Sequence, residues 1–276
     1  MININIGAPV EAIIDWLTVH MGPFFDVLST VLDAIMNGFE HVLLFLPALV
    51  MIVLLAALAW WIAGRGVAIF TLLGLFLVAA MGYWEETMVT LAQVGTSALV
   101  ALLIGIPVGI WASRSRAVHQ IMRPILDFMQ TMPAFVYLIP AVMFFSLGAV
   151  PGVVATVIFS MPPAVRLTDL GIRQVDEEVV EATQAFGATD RQLLFKVQLP
   201  LAMPTILAGV NQTIMLALSM VVIAAMIGAG GVGGVVYKGI TTVQVGMGFE
   251  GGIAIVILAI FLDRITQALG ASGGKS

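Results

Sequence analysis

Residues 166–204 read RLTDLGIRQVDEEVVEATQAFGATDRQLLFKVQLPLAMP, the only long polar segment in the second half of the chain. Its helix signals mark it as built structure. Asp176 stands where an N-cap would accept a free amide, and Glu177 and Glu178 follow in the first turn, where negative charge meets the positive end of the helix dipole. Gly187 is placed to end that helix. Thr189 with Gln192 three residues later has the spacing of a capping box, so a second short helix begins there, and Leu199-Pro200 is expected to stop it. Helix connections usually run about two to eight residues, so a doubly capped loop over residues 173–203 does more than connect.

The flanks of this loop are apolar. Of 276 residues, 61% are hydrophobic and 10% charged, whereas a soluble chain carries about 25% charged residues. A bilayer core takes roughly 20 apolar residues per helix. Val42 to Ala63, Gly66 to Tyr83, Met88 to Ala112 and Pro204 to Gly228 carry no charge and have about that length. The uncharged stretch from Phe128 to Val165 is too long for one span, and Gly148-Ala149-Val150-Pro151-Gly152 divides it into two short helices. A last span from Gly251 to about Leu269 holds Asp263-Arg264, which suits a position near an interface where Arg264 can snorkel. We expect an all-α integral membrane protein with about seven transmembrane helices.

Lys and Arg collect in cytoplasmic loops. With the N-terminus outside, seven spans place Arg65, Arg114, Arg116, Arg123, Arg166, Arg173, Arg191, Lys196, Arg264 and Lys275 inside, and only Lys238 outside. The segment before Arg65 holds five acids, Glu11, Asp15, Asp26, Asp33 and Glu40, which argues against a signal peptide. Phe24, Leu28, Val31, Ile35 and Phe39 recur at helical spacing there, so residues 1–41 are expected to form an acidic amphipathic segment on the outer surface. No cysteine is present, and His20, His41 and His119 are far apart, which excludes a disulfide framework and a Cys-ligated metal.

Glu181-Ala182-Thr183, Gly187 and Val197-Gln198-Leu199-Pro200 together resemble the pattern E-A-A, three residues, G, nine residues, I-x-L-P of ATP-binding-cassette importer permeases. The departures are Thr183 for alanine and Val197 for isoleucine. From about Arg123 to Gly270 the chain is similar to permeases of the glycine betaine and proline betaine importers, most clearly in FMQTMPAFV (128–136), PPAVRLTDLGIRQV (162–175) and residues 196–228. The resemblance implies the type I importer membrane fold, MetI-like, with a permease domain at 42–270, the coupling loop within it, and a tail at 271–276. It also implies a pair of permeases, cytosolic ATPase subunits and a separate extracytoplasmic binding protein in a bacterial plasma membrane. ATP and Mg are then expected on the ATPase, with no cofactor bound by this chain and no nucleic acid partner.

In such a loop Ala182, Ala185 and Ala188 permit close fit into a groove on the ATPase, Glu181 offers a carboxylate to a basic partner, Gly187 sets the turn, and Thr183, Leu199 and Pro200 complete the pattern. A quaternary ammonium donates no hydrogen bond, so its recognition uses aromatic faces. Phe128, Phe135 and Tyr137, with Phe144 and Phe145, are candidates, and Asn211, Gln212 and Ser219 either line the pathway or bond across helices. Gly273-Gly274-Lys275-Ser276 is not a phosphate loop, since Leu269 stands where its first glycine belongs. The glycine run 228–234 reads as a flexible or tightly packed turn. The alternatives are an importer of the same type for choline, carnitine or a sulfonium osmolyte, and a gradient-driven transporter. The second is disfavoured because the acids sit in loops or near helix ends. No nucleophile-base set points to an enzyme.

Overall fold

A computed structural model describes residues 7–273, with side-chain surroundings through residue 270, and every regular element among them is helical. The tail 271–276, with Lys275, lies outside the residues whose side chains are described. Two N-terminal helices, α1 (Gly7–His20) and α2 (Gly22–Leu44), precede a hairpin of α3 (Ala48–Ala63) and α4 (Arg65–Ala80). The long α5 (Trp84–Arg114) follows, then α6 (Arg116–Thr131), a 3-10 turn at Ala134–Tyr137 and α7 (Leu138–Phe145). Next come α8 (Ala149–Ser160) and α9 (Pro162–Arg173), and the polar loop carries α10 (Glu177–Ala185) and α11 (Asp190–Leu193). The chain closes with α12 (Leu199–Ser219), α13 (Val221–Ala225), α14 (Gly231–Thr241) and α15 (Val245–Gly273).

By length and composition, five stretches among the described residues can cross a bilayer: Gly22–Leu44, Trp84–Arg114, Ala149–Arg173, Asp190–Ala225 and Val245–Gly270. A sixth arises if Arg116–Thr131 and Ala134–Phe145, bent by 106°, count as one broken span. The expected division of Phe128 to Val165 falls at Ser146–Gly148 and not over residues 148–152, since Ala149 to Gly152 begin α8 with Pro151 in its first turn, and the first piece also breaks at Pro133, because Met132 before the proline is driven to extended backbone (ψ 135°). The expected span from Val42 splits as well. Residues up to Leu44 belong to α2, and Pro47 starts a new helix. α3 and α4 have 16 residues each, which at about 1.5 Å per residue gives roughly 24 Å, short of the roughly 30 Å hydrocarbon core. The boundary drawn at residue 41 thus falls inside α2, whose Leu32 and Met36 pack against Ala101 of α5 and Val153 and Val157 of α8.

The centre of the molecule is α9, held between α5 and α12. Lipid tails are as apolar as leucine, so helices here associate by close contact and polar ties. The sequence supplies the contact through Gly105 and Gly109, one turn apart on α5. A Cβ added at Gly105 would lie 2.8 Å from Ala164 Cβ, and one at Gly109 would lie 2.6 Å from Thr168 Cβ and 2.7 Å from the Val165 carbonyl oxygen. On the other side, a Cβ added at Gly209 of α12 would lie 3.0 Å from Leu167 Cβ and 3.1 Å from the Pro163 carbonyl oxygen. A second layer of buried side chains, Leu75, Val78, Val94, Leu218 and Leu258 among them, joins α4, α5, α12 and α15.

Gly109→Ala is therefore expected to force α5 from α9 at a cost of about 1–3 kcal/mol, seen as a lowered melting temperature of the detergent-solubilised protein. Gly95→Ala, on the same helix with open space at its Cβ, should leave the melting temperature unchanged or raise it.

Candidate functional site

The polar loop emerges from α9, and a buried acid holds its root. Asp169, only 9% exposed, accepts from Arg173 Nε at 2.8 Å, and its other oxygen lies 2.7 Å from His119 Nδ1 on α6. Arg173 also donates from Nη2 to the Ala112 carbonyl near the end of α5 (3.1 Å). One carboxylate thus ties α5, α6 and α9 where the loop begins. Asp169 is the buried member of the group, and removing it would leave Arg173 and His119 without their shared partner. Two further pairs, Arg166 with Asp127 at 2.5 Å and Arg114 with Asp190 at 3.9 Å, are exposed and contribute less.

Within the loop, the caps form where the sequence places them. Asp176 Oδ1 accepts from the Glu178 amide (3.0 Å). α10 ends at Gly187, whose φ of +81° lies in the left-handed region, with Gly187 N donating to Gln184 O (2.8 Å) and Ala188 N to Thr183 O (3.3 Å). The capping box is reciprocal: Gln192 N donates to Thr189 Oγ1 (3.3 Å) and Thr189 N to Gln192 Oε1 (2.9 Å). One expectation fails. Leu199-Pro200 does not stop the second helix, because residues Leu194–Gln198 form a π turn that runs straight into α12. That wider turn accommodates a residue with no amide proton, so Pro200 sits in the first turn of α12 without a break.

α10 has no buried residue. Ala182, Ala185 and Phe186 share a face at helical spacing, Glu181 beside them has no ion-pair partner among the described residues, and Thr183 bonds back to the Val179 carbonyl (2.7 Å). Ala188 is half-buried. Leu193 and Leu194 are buried and anchor the second half of the loop, so α10 stands out from a fixed base. Phe186 is 91% exposed, a side chain the sequence reading passed over. Its signal was an aromatic residue between Ala185 and the helix-ending Gly187, at the end of a helix with no other aromatic side chain.

The pathway candidates do not converge within one chain. Tyr137 is buried and donates to the Met129 carbonyl, while Phe144 and Phe145 pack on Phe25 of α2, with centroids 4.4 and 5.5 Å apart. Asn211 bonds across helices, donating to Asp263 Oδ1 (3.0 Å) and accepting from Thr266 Oγ1 (2.5 Å), and Gln267 donates to the same Asp263 oxygen (2.7 Å). Asp263 thus has neutral amide partners on α12 and α15. Phe128, Phe135, Gln212 and Ser219 keep exposed faces. The glycine run is packed tightly: Val232 N donates to Thr90 Oγ1 (2.9 Å), Gln93 Nε2 to Ala229 O (2.5 Å) and Gly148 N to Ile227 O (3.0 Å).

Comparison with known proteins bears on this arrangement. The profile of the family described as "Binding-protein-dependent transport system inner membrane component" matches residues 101–272, which contain α9, the loop and α12. The glycine betaine transport system permease protein OpuAB of Bacillus subtilis (strain 168) is 57% identical over 94% of this chain and 92% of its own length. The glycine betaine/proline betaine transport system permease protein ProW of Escherichia coli (strain K12) is 55% identical over 93% of this chain and 73% of its own. Among solved structures, a chain of the inward-facing MetNI methionine ABC transporter superposes with a TM-score of 0.60 at 21% identity, covering 67% of this chain and 92% of that one. That likeness is one of fold, the type I importer permease fold. With the family profile matched over more than half of its length and close relatives aligned along nearly all of it, this chain belongs to the binding-protein-dependent transport system inner membrane components.

Proposed function

We propose that the chain is the translocating subunit of an importer for glycine betaine or a related quaternary-ammonium osmolyte, driven by a separate ATPase that docks on the loop around Glu181–Pro200. The observation that carries the coupling assignment is the protruding α10, capped at both ends, with its apolar face of Ala182, Ala185 and Phe186 exposed and its base fixed by Asp169. The substrate class rests on the glycine betaine permeases that align with the chain at more than half identity. Choline, carnitine or a sulfonium osmolyte carried by the same mechanism is the second reading.

In this proposal two copies pair, because one chain has one loop and an ATPase pair offers two grooves. Phe128, Phe135, Gln212 and Ser219, exposed on each copy, then face a pathway between them. ATP and Mg belong to the ATPase, and an extracytoplasmic binding protein delivers the substrate. The N-terminus lies outside and the C-terminus inside the plasma membrane of a bacterium, in keeping with the bias of basic residues.

Reconstitution of the permease with its ATPase and binding protein in liposomes tests the assignment. ATP-dependent uptake should be highest for glycine betaine in a panel with proline betaine, carnitine, choline and dimethylsulfoniopropionate. Uptake without the ATPase, driven by an ion gradient, would overturn it.

Two loop variants separate shape from charge. Gly187→Val places a β-branched residue at φ +81° and should abolish uptake while membrane insertion stays normal, whereas Glu181→Gln should be milder. Wild-type uptake by Gly187→Val would remove the loop's role. Phe186→Ala should weaken ATPase binding by about 10–30-fold, the loss typical of a hot-spot aromatic.

Reporter fusions at positions 85 and 180 should report opposite sides of the membrane, the latter cytoplasmic. The same side for both would contradict the orientation.

A further inference from the structure

The hairpin of α3 and α4 carries a single charge. Arg65, at its tip, is the only Lys, Arg, Asp or Glu between Glu40 and Glu85. Beside it stand Trp60 and Trp61, 58% and 84% exposed, and the shaft behind them is bare aliphatic surface at Val53, Leu54, Ile69 and Leu73. An apolar shaft that ends in tryptophan and arginine has the chemistry of a helix pair that meets acyl chains along its length and headgroups at its end. The tip lies on the side of the polar loop, since α4 runs from Arg65 to the start of α5, and α5 returns to Arg114, which pairs with Asp190 in the loop.

Contacts with α15 fix how deep that tip reaches. A Cβ added at Gly74 of α4 would lie 2.8 Å from Ile257 of α15, so these two residues are level. Just beyond α4, the Tyr83 hydroxyl donates to Glu250 Oε2 (3.0 Å), so α4 and α15 run antiparallel side by side. Arg65 then lies about 14 Å below the Gly74 contact and Arg264 about 10 Å below it, within one helical turn of a common level. Glu250, Ile257 and Arg264 stand seven residues apart on one stripe of α15, which α4 covers at Ile257 (6% exposed) and leaves bare at Arg264. From Glu250 to Arg264 the rise is about 21 Å, and the hairpin itself spans roughly 24 Å, against a hydrocarbon core of roughly 30 Å. An arginine can close such a gap by stretching along the helix toward water. Arg65 is turned instead toward Trp60, a turn back from the tip, with its Cζ 6.0 Å from the ring centroid. Neither Arg65 nor Arg264 has a carboxylate partner among the described residues, and Asp263 Oδ1 is taken by Asn211 and Gln267.

We infer that the phospholipid headgroup layer on the loop side dips to the hairpin tip and thins the bilayer there by about 6 Å, the shortfall of the hairpin against the hydrocarbon core. Lipid phosphates are received by Arg65 and Arg264, with the indoles of Trp60 and Trp61 at the same level. A phosphodiester accepts charge-assisted hydrogen bonds from guanidinium groups in any phospholipid, so the contact requires no particular headgroup. The thinned patch borders α15 at the level of Asp263, whose amide partner Asn211 sits on α12, the helix that receives the loop.

The absence of cysteine in the chain permits a direct test. Gly66→Cys at the tip, where an added Cβ meets nothing within 4 Å, and Leu73→Cys, seven residues along the same exposed face, each take a nitroxide label. The full-length protein is placed in liposomes of eighteen-carbon phosphatidylcholine and phosphatidylglycerol, and collisions with a water-soluble nickel complex and with oxygen read the depth of each label. The label at 66 should meet nickel as a headgroup-level site does, whereas the label at 73, about 10 Å away, should meet oxygen alone. In the Arg65→Gln/Arg264→Gln background the label at 66 should sink by about 6 Å, and in fourteen-carbon lipids it should return to the headgroup level. With both arginines present it should hold that level in either lipid, a comparison that does not depend on the double variant folding. A label at 66 that lies among acyl chains in eighteen-carbon lipid, or sinks as the chains lengthen with both arginines present, would overturn the proposal in favour of a submerged tip. A depth unchanged by the double variant would overturn the role of the arginines. Shielding of position 66 from both reagents would overturn the lipid contact itself, in favour of a protein surface over the tip.

Discussion

Two apolar helices in a bilayer gain little by hiding from lipid, so whatever fixes α9 between α5 and α12 must do so at contact distance. Glycine at 105, 109 and 209 brings the backbones close enough for dispersion contacts to accumulate, and it leaves no room for a larger residue. The position of the loop depends on this seam, since α10 begins four residues beyond the end of α9 and the π turn returns the chain directly to α12. A displacement at the seam would be carried to the loop without slack.

Polar ties make the seam specific. Asp169 stands at the junction of three helices with Arg173 and His119 as partners, and Asn211, Asp263, Thr266 and Gln267 clasp α12 to α15 farther round the bundle. Such groups are expensive in an apolar setting unless all are satisfied, and here they bond to one another. The loop itself follows a different logic. α10 buries nothing and relies on local devices, the Asp176 cap, the left-handed Gly187 and the Thr189–Gln192 box, so that its shape is set within the loop itself.

That difference explains what was legible in the sequence. Caps and helix-ending glycine are short-range, and Asp176, Gly187, Thr189 and Gln192 were readable from spacing alone. The apolar runs also announced a membrane protein. Helix boundaries were harder, because Val42 to Ala63 contains no charge to mark the break that Pro47 imposes, and because the π turn through Leu194–Gln198 lets a helix continue through Pro200. Asn211 left two readings open, since a polar side chain in a span looks the same whether it meets a substrate or Asp263 on another helix. Phe186 was missed for a related reason: exposure depends on how α10 stands from its base, which no local pattern records.

The central claim is that α10 presents a fixed apolar face to a separate ATPase. A photo-crosslinking amino acid placed at position 186 in the assembled transporter tests it most directly. The account predicts a covalent adduct with the ATPase, formed with and without substrate, at residues lining one groove. Adducts only with lipid or with another copy of the permease would contradict it.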